Sequence, residues 1–290
     1  MTAGQFEHMI NLDNRLGTRG RVSRAFSALL QKVRDSPGSP FAPRDFRRDM
    51  GKVNPDFATN EQQDSQEFLT FLLDKLHEYL KHPRATPEEL LVLLTYNDDL
   101  VEHPPPEAAA EAWRRFLAHD ASVVAELCMG QERSENQCRE PNCGGRSVRF
   151  APFMMLLLPI PESGLTMPTL ETCMADHLKP ETLRGDQVWR CDECHRNTSS
   201  RKRPAITRAP RVLAVQLKRT VYTETGSRKV DALVNFPLRG WSVPVAPGMG
   251  EAAGVGSVYD LIAVSNHYGG GVHEGHCAPF LCSWCAFIQD

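Results

Sequence analysis

Residues 61 to 80 read EQQDSQEFLTFLLDKLHEYL, and the apolar positions of this stretch recur at helical spacing. Phe68, Phe71, Leu72, Leu76 and Tyr79 fall on one side of a helix drawn over 64–80, so that side is predicted to be buried. Asp64 and Glu67 stand in the spacing of a capping box, in which two side chains satisfy free backbone amides of the first turn. Upstream, RVSRAFSALLQKV (21–33) places Val22, Phe26, Leu29, Leu30 and Val33 on a second helical stripe, ended by Pro37, Pro40 and Pro43. Downstream, LVEHPPPEA (100–108) reads as a breaker, with a helix resuming from Ala109 to Leu117.

From Phe150 the period changes. MMLLLPI (154–160), VLAVQL (212–217) and YDLIAV (259–264) are short apolar runs bounded by Pro, Gly or charge, which suits strands. The run 242–257, SVPVAPGMGEAAGVGS, reads as a mobile loop rather than a domain boundary. A helical N-terminal part therefore precedes a strand-rich C-terminal part, and no internal repeat is visible.

At 290 residues the chain can bury a substantial core, and its 41% apolar and 24% charged residues are ordinary for a globular protein. A net charge of −3 gives no reason to expect nucleic acid or an anionic membrane as partner. The charge is nevertheless segregated. Residues 61–111 hold twelve acids against three Lys or Arg, whereas 196–230 hold ten Lys or Arg against Glu224 alone. Such segregation can steer a charged partner, although two solvated surfaces with cancelling fields would look the same. No apolar window is long enough to span a membrane, and MTAGQFEHMINLDNRLG lacks the pattern of a secretory signal.

Four of the nine cysteines come in close pairs: Cys138 and Cys143 as C-x4-C, and Cys191 and Cys194 as C-x2-C. In a reducing compartment this pattern reads as metal binding rather than as disulfides. Two pairs from distant hairpins would complete the tetrahedral thiolate set that Zn²⁺ favours, leaving no open position for water, so the ion is expected to be structural. His195, next to Cys194, is a possible substitute ligand. Cys173 and His177, four apart, read as a core and a surface residue.

At this point the motifs become specific. EQQDSQEFLTFLLDKLHEYL resembles the glutamine-rich box of the ubiquitin-specific proteases, a family of cysteine deubiquitinases. The blocks that follow resemble the family in the same order: GQERSENQC (130–138), FAPFMMLLLPIP (150–161), WRCDEC (189–194), PRVLAVQLKR (210–219), NFP (235–237) and YDLIAVSNHYGGGVHEGH (259–276). The start, NLDNRLGTRGRVSRAFSALLQKV, is most like a subgroup with endosomal members, which points inside the cell, to the cytoplasm or to an endosome-associated setting. The resemblance covers residues 10 to 276. It implies an α+β, papain-like cysteine protease fold with a helical thumb (1–125), zinc-bearing fingers (126–220) and a palm with a histidine loop (221–290). It also implies ubiquitin or ubiquitinated proteins as partner, and hydrolysis of the bond between the ubiquitin carboxyl terminus and a lysine amine.

Residue by residue, the resemblance places the general base at His276 and gives Asp64 and Glu67 contacts to basic groups near the ubiquitin tail. The capping and contact readings of Asp64 both stand. His267 matches a neighbouring histidine that is not the base. The family's nucleophile lies in a G-L-x-N-x-x-N-T-C-Y box, and this sequence begins downstream of it, with no cysteine before Cys128, itself read as a core residue. After His276 the pattern decays. If Trp284 and Phe287 are the matching aromatics, the orienting acid falls on Ile288, two residues short of Asp290, and Cys277, Cys282 and Cys285 have no assignable role. The sequence thus leaves two expectations: a deubiquitinase domain without its nucleophile, unable to turn over, or a non-catalytic ubiquitin-binding or scaffold protein.

Overall fold

The computed structural model describes residues 20–82, 84–86, 88–89, 100–101, 104–161, 167–223, 226–247, 257–269 and 276–281. The N-terminal half is helical, with α1 (Arg21–Asp35), α2 (Arg44–Gly51), α3 (Ser65–Tyr79), α4 (Pro105–Asp120) and α5 (Val123–Cys128). The stripe read on α3 is the one that is buried. Leu76, Tyr79 and Leu80 close against Val22 of α1, Met50 of α2 and Val124 of α5, with Phe26, Phe46, Phe68, Phe71 and Leu72 packed around them. Each such large side chain taken from water contributes about 1.5–3 kcal/mol.

Three helical expectations need correction. On α1 the buried face is Val22, Ser23 and Ser27, whereas Val33 is 50% exposed, because the last turn of the helix is uncovered. α2 had no counterpart in the sequence reading: RDFRRDMG is mostly charged, and only Phe46 and Met50 anchor it. The prolines read as a breaker instead start α4, with Pro105 and Pro106 at its first positions, where a missing N–H costs nothing.

One buried polar contact ties α3 to the start of α5. His77 of α3 is 5% exposed, and its Nδ1 lies 2.6 Å from Ser122 Oγ, which is fully buried and already accepts the Ala125 amide at 2.9 Å to cap α5. The Ser122 hydroxyl can donate to a bare Nδ1 or accept from a protonated one, as the His77 tautomer dictates. Burial, and then the charge of Lys81, holds His77 below the usual histidine range, with Asp120, Glu78 and Asp74 opposing. A group whose folded pKa is depressed contributes stability that is fully present above its unfolded value and fades as pH falls through the folded one. The melting temperature should accordingly begin to drop as pH is lowered through the ordinary histidine value of about 6.5 and go on dropping below it. His77→Asn, which keeps an acceptor but cannot titrate, should flatten that drop. Equal slopes for the two proteins in a calorimetric pH series would remove His77 as its source.

β1 (Gly130–Cys138) and β2 (Arg146–Phe153) form a hairpin that leads into β3 (Met155–Pro159). Then come α6 (Leu170–His177), β4 (Glu181–Leu183), β5 (Trp189–Arg190), β6 (Asn197–Thr198), β7 (Ser200–Arg208) and β8 (Ala214–Lys218). β1, β2, β4 and β7 make a four-stranded antiparallel sheet in the order β2-β1-β7-β4. β3 and β8, both read as strands from the sequence, pair in parallel, burying Leu156 and Leu158 and leaving Leu157 exposed. As expected, Cys173 is buried in the core beside Met174, and His177, on the same helix, is only partly buried.

The chain ends in β9 (Thr220–Thr223), β10 (Gly226–Lys229), β11 (Trp241–Val243), β12 (Ser257–Tyr259), β13 (Ala263–Tyr268) and β14 (His276–Leu281). Two corrections arise here. The run 259–264 is not one strand. It breaks at Asp260, whose Oδ1 accepts the Gly240 amide at 2.9 Å, and at Leu261, whose amide donates to Leu238 O at 3.0 Å. The start of the supposed loop 242–257 is core: Trp241 and Val243 are buried beside Ile206, and β11 pairs with β12. Residues 248–256 lie outside the described residues. Among the described residues no helix is long and apolar enough to cross a membrane.

Candidate functional site

The sulfurs of Cys138, Cys143, Cys191 and Cys194 all lie within 4.8 Å of one another, with Cys143 Sγ and Cys191 Sγ 3.7 Å apart. Zinc–sulfur bonds of about 2.3 Å in a tetrahedron put sulfurs roughly 3.8 Å apart, so the group could hold a metal ion of that kind. The local backbone explains how. Cys138 ends β1, its amide donating to Gly145 O at 2.9 Å, and the wide C-x4-C gap is taken up by a turn with left-handed Asn142 (φ 61°). Cys191 and Cys194 sit on the β5–β6 hairpin, which turns through left-handed His195 (φ 55°) and closes with the Cys191 amide on Arg196 O at 3.0 Å. His195 lies outside the sulfur group.

Gly145 is a requirement of the site that sequence reading passed over. A Cβ there would stand 2.4 Å from Cys191 Sγ and 3.3 Å from Cys143 Sγ. The glycine pair 144–145 was its only signal. The amides of Glu140 and Gly145 point at Cys138 Sγ and Cys143 Sγ, each at 3.4 Å, as donors to a thiolate do. Against the desolvation that raises it, the Glu140 amide, the Thr198 hydroxyl and the Cys143 and Cys191 sulfurs hold the Cys138 thiol below its usual range. The Gly145 amide favours the Cys143 thiolate, yet desolvation and the Cys138, Cys191 and Cys194 sulfurs outweigh it, and that thiol is pushed up to about 12.

The second cluster lies where the helical and strand-rich halves meet. Asp64 caps α3 through Oδ1, which accepts the Gln66 amide at 2.7 Å. The full capping box expected from the sequence is replaced by this one-sided cap at the second amide, and Glu67 remains exposed. Next to the cap, Ser65 Oγ is 3.5 Å from Ser265 Oγ of β13. β13 pairs with β14, whose first residue, His276, is in register with Tyr268. The structure thus brings the Asp64 end of α3 to the hairpin that carries the backbone of His276.

Sequence reading also missed Lys229. It is largely buried at the end of β10, and its Nζ donates to Gly269 O at 2.6 Å, one residue beyond the partner of His276. His267 is exposed on β13 opposite Cys277. Cys128 packs at the edge of the helical core, where burial pushes its thiol up. His273, Cys282, Trp284, Cys285, Phe287, Ile288 and Asp290 lie outside the described residues.

Residues 4–289 match the family model described as ubiquitin carboxyl-terminal hydrolase. Ubiquitin carboxyl-terminal hydrolase 2 of Gallus gallus is 33% identical over 275 residues, 93% of this chain and 74% of that protein. The Homo sapiens protein of the same name is 34% identical over 271 residues, 90% of this chain but 42% of its own length. Among solved structures, the SAGA Ubp8/Sgf11/Sus1/Sgf73 DUB module bound to ubiquitin aldehyde is similar with a TM-score of 0.65 at 20% identity, covering 96% of this chain and 55% of that one. The same module bound to monoubiquitin gives 0.59 at 23% identity, covering 91% and 49%. The chain thus spans under half of the human relative and about half of the solved chains, and the likeness to the latter shows the papain-like fold.

Proposed function

Because the chain belongs to the ubiquitin carboxyl-terminal hydrolase family, we propose that it forms the ubiquitin-recognising part of a thiol-dependent deubiquitinase. Residues 1–125 act as thumb, 126–220 as fingers and 221–290 as palm. Zn²⁺ on Cys138, Cys143, Cys191 and Cys194 stiffens the fingers and takes no part in the chemistry, since four thiolates leave it no open position. His276 occupies the general-base position, where it would take the proton of a thiol nucleophile and return it to the leaving amine. Asp64 and Glu67 face basic groups near the ubiquitin tail.

The observation that carries this reading is the approach of the α3 cap to the β13–β14 hairpin, Ser65 to Ser265, which sets the acidic end of α3 beside the strand of His276. The test is calorimetric titration with ubiquitin. Asn caps a helix about as well as Asp, so Asp64→Asn should leave the melting temperature nearly unchanged. It should weaken ubiquitin binding several-fold, by about 1 kcal/mol, the scale of a partly exposed ion pair. Unchanged affinity would reduce Asp64 to a cap, and no measurable ubiquitin binding by the parent chain would remove the proposal.

A further inference from the structure

One face of the β2-β1-β7-β4 sheet concentrates arginine. Directly opposed residues of an antiparallel ladder share a face, so the register Arg146–Gln137–Arg201–Thr182 puts two guanidinium groups on one side. Two residues along, Val148–Glu135–Arg203 adds a third, and Phe150–Arg133–Ala205 a fourth. Arg139 joins them, its Nη1 donating to Thr182 Oγ1 at 3.3 Å. The ion pairs agree with this assignment: Glu135 is met by Arg146 at 2.9 Å and by Arg133 at 3.6 Å.

Glu135 is 7% exposed and already taken by those two arginines. Among the described residues Arg201 and Arg203 have no carboxylate partner. The opposite face carries Phe153 and Ile206 into the core and holds the Lys202–Glu181 pair at 3.0 Å, so the arginines lie on the side turned away from that core. Strand spacing of about 4.8 Å and a rise of about 3.4 Å per residue give a patch roughly 10 Å by 14 Å.

We propose that this face docks a short acidic segment of a partner protein. Guanidinium forks match carboxylates with two parallel hydrogen bonds, and Arg201 and Arg203 are the free forks. Half-buried Val148 and Phe150 lie on the same face along β2, an apolar strip that suits a protein side chain better than a phosphate ladder. A net charge of −3, with twelve acids in residues 61–111, also disfavours a long polyanion. The inference goes beyond the ubiquitin reading and does not depend on it.

The probe is a short fluorescein-labelled oligoglutamate peptide, followed by anisotropy with the full chain at near-physiological salt, with a thymidine oligonucleotide and ubiquitin measured in parallel. Arg201→Glu with Arg203→Glu should weaken peptide binding about tenfold or more. Arg201→Gln with Arg203→Gln should give a smaller loss, and decides the matter if the charge-reversed chain does not fold. Arg149→Glu, exposed on the opposite face, should change little. The proposal is overturned by no peptide binding, by an equal loss in Arg149→Glu, by tighter binding of the oligonucleotide, or by a loss confined to ubiquitin.

Discussion

A Cys191→Ala variant is expected to purify without bound zinc and with the tip of its four-stranded sheet loosened, whereas the parent chain is expected to purify with about one equivalent. The size of the effect follows from what else holds the tip together. β5 and β6 pair through two residues each, Trp189 with Thr198 and Arg190 with Asn197, and Val188 beside them is 40% exposed. A hairpin so short, with no apolar cluster beneath it among the described residues, is not stable by itself. Structural zinc sites in small peptides contribute about 10–16 kcal/mol, so losing one of four thiolates should dominate any packing change. Hydrogen exchange should show amides 189–198 losing protection while those around Leu76–Leu80 and Trp241–Val243 keep theirs, since the latter rest on separate apolar clusters. Cys173→Ala supplies the contrast: it removes a fully buried thiol from the core around Leu156, Leu158 and Ile206 and should lower stability yet retain zinc. A full equivalent of zinc in Cys191→Ala would remove the four-thiolate assignment.

What could be read from the sequence was whatever repeats with a period or a fixed spacing. The α3 stripe, the β3 and β8 runs and the paired cysteines each declare themselves within a few residues of chain, and each stands where it was expected. The misread parts depend on partners distant in sequence. Trp241 and Val243 lie in a stretch rich in Gly, Ala and Pro, and become a strand only because Ser257–Tyr259 pairs with them over the Ile206 core. α2 is helical on two apolar anchors, which no periodic pattern can announce. The need for Gly145 comes from the sulfur of Cys191, some 46 residues away. The candidate site divides in the same way. Its residues were named through motif resemblance, but the approach of Ser65 to Ser265 and the clamp of Lys229 on Gly269 belong to the tertiary structure alone.

A polypeptide made of these 290 residues alone is expected to bind ubiquitin but not to release a fluorophore from its carboxyl terminus. Hydrolysis needs a thiolate within reach of the base, and the sequence has no cysteine before Cys128. Cys128 is a poor stand-in, because it is held at the edge of the helical core and burial raises its pKa, which lowers the thiolate fraction that attacks. The asparagine that helps form the oxyanion hole in the resembling family precedes the same nucleophile. Losing one such donor removes about 2.7–4 kcal/mol of transition-state stabilisation. If Trp284 and Phe287 are the matching aromatics, the position of the acid that would orient His276 falls on Ile288, which cannot accept a hydrogen bond, and disabling that role in a comparable triad costs about 10⁴-fold. These deficits act on one reaction step, so any turnover should lie below detection, and a ubiquitin-derived electrophilic probe should leave no adduct. Probe labelling that disappears in His276→Ala or Cys277→Ser would overturn this, because the cysteine adjoining His276 in β14 would then be the attacking thiol. Joining an N-T-C-Y segment upstream should restore labelling before turnover, since an electrophile can trap a thiolate that still lacks an oriented base.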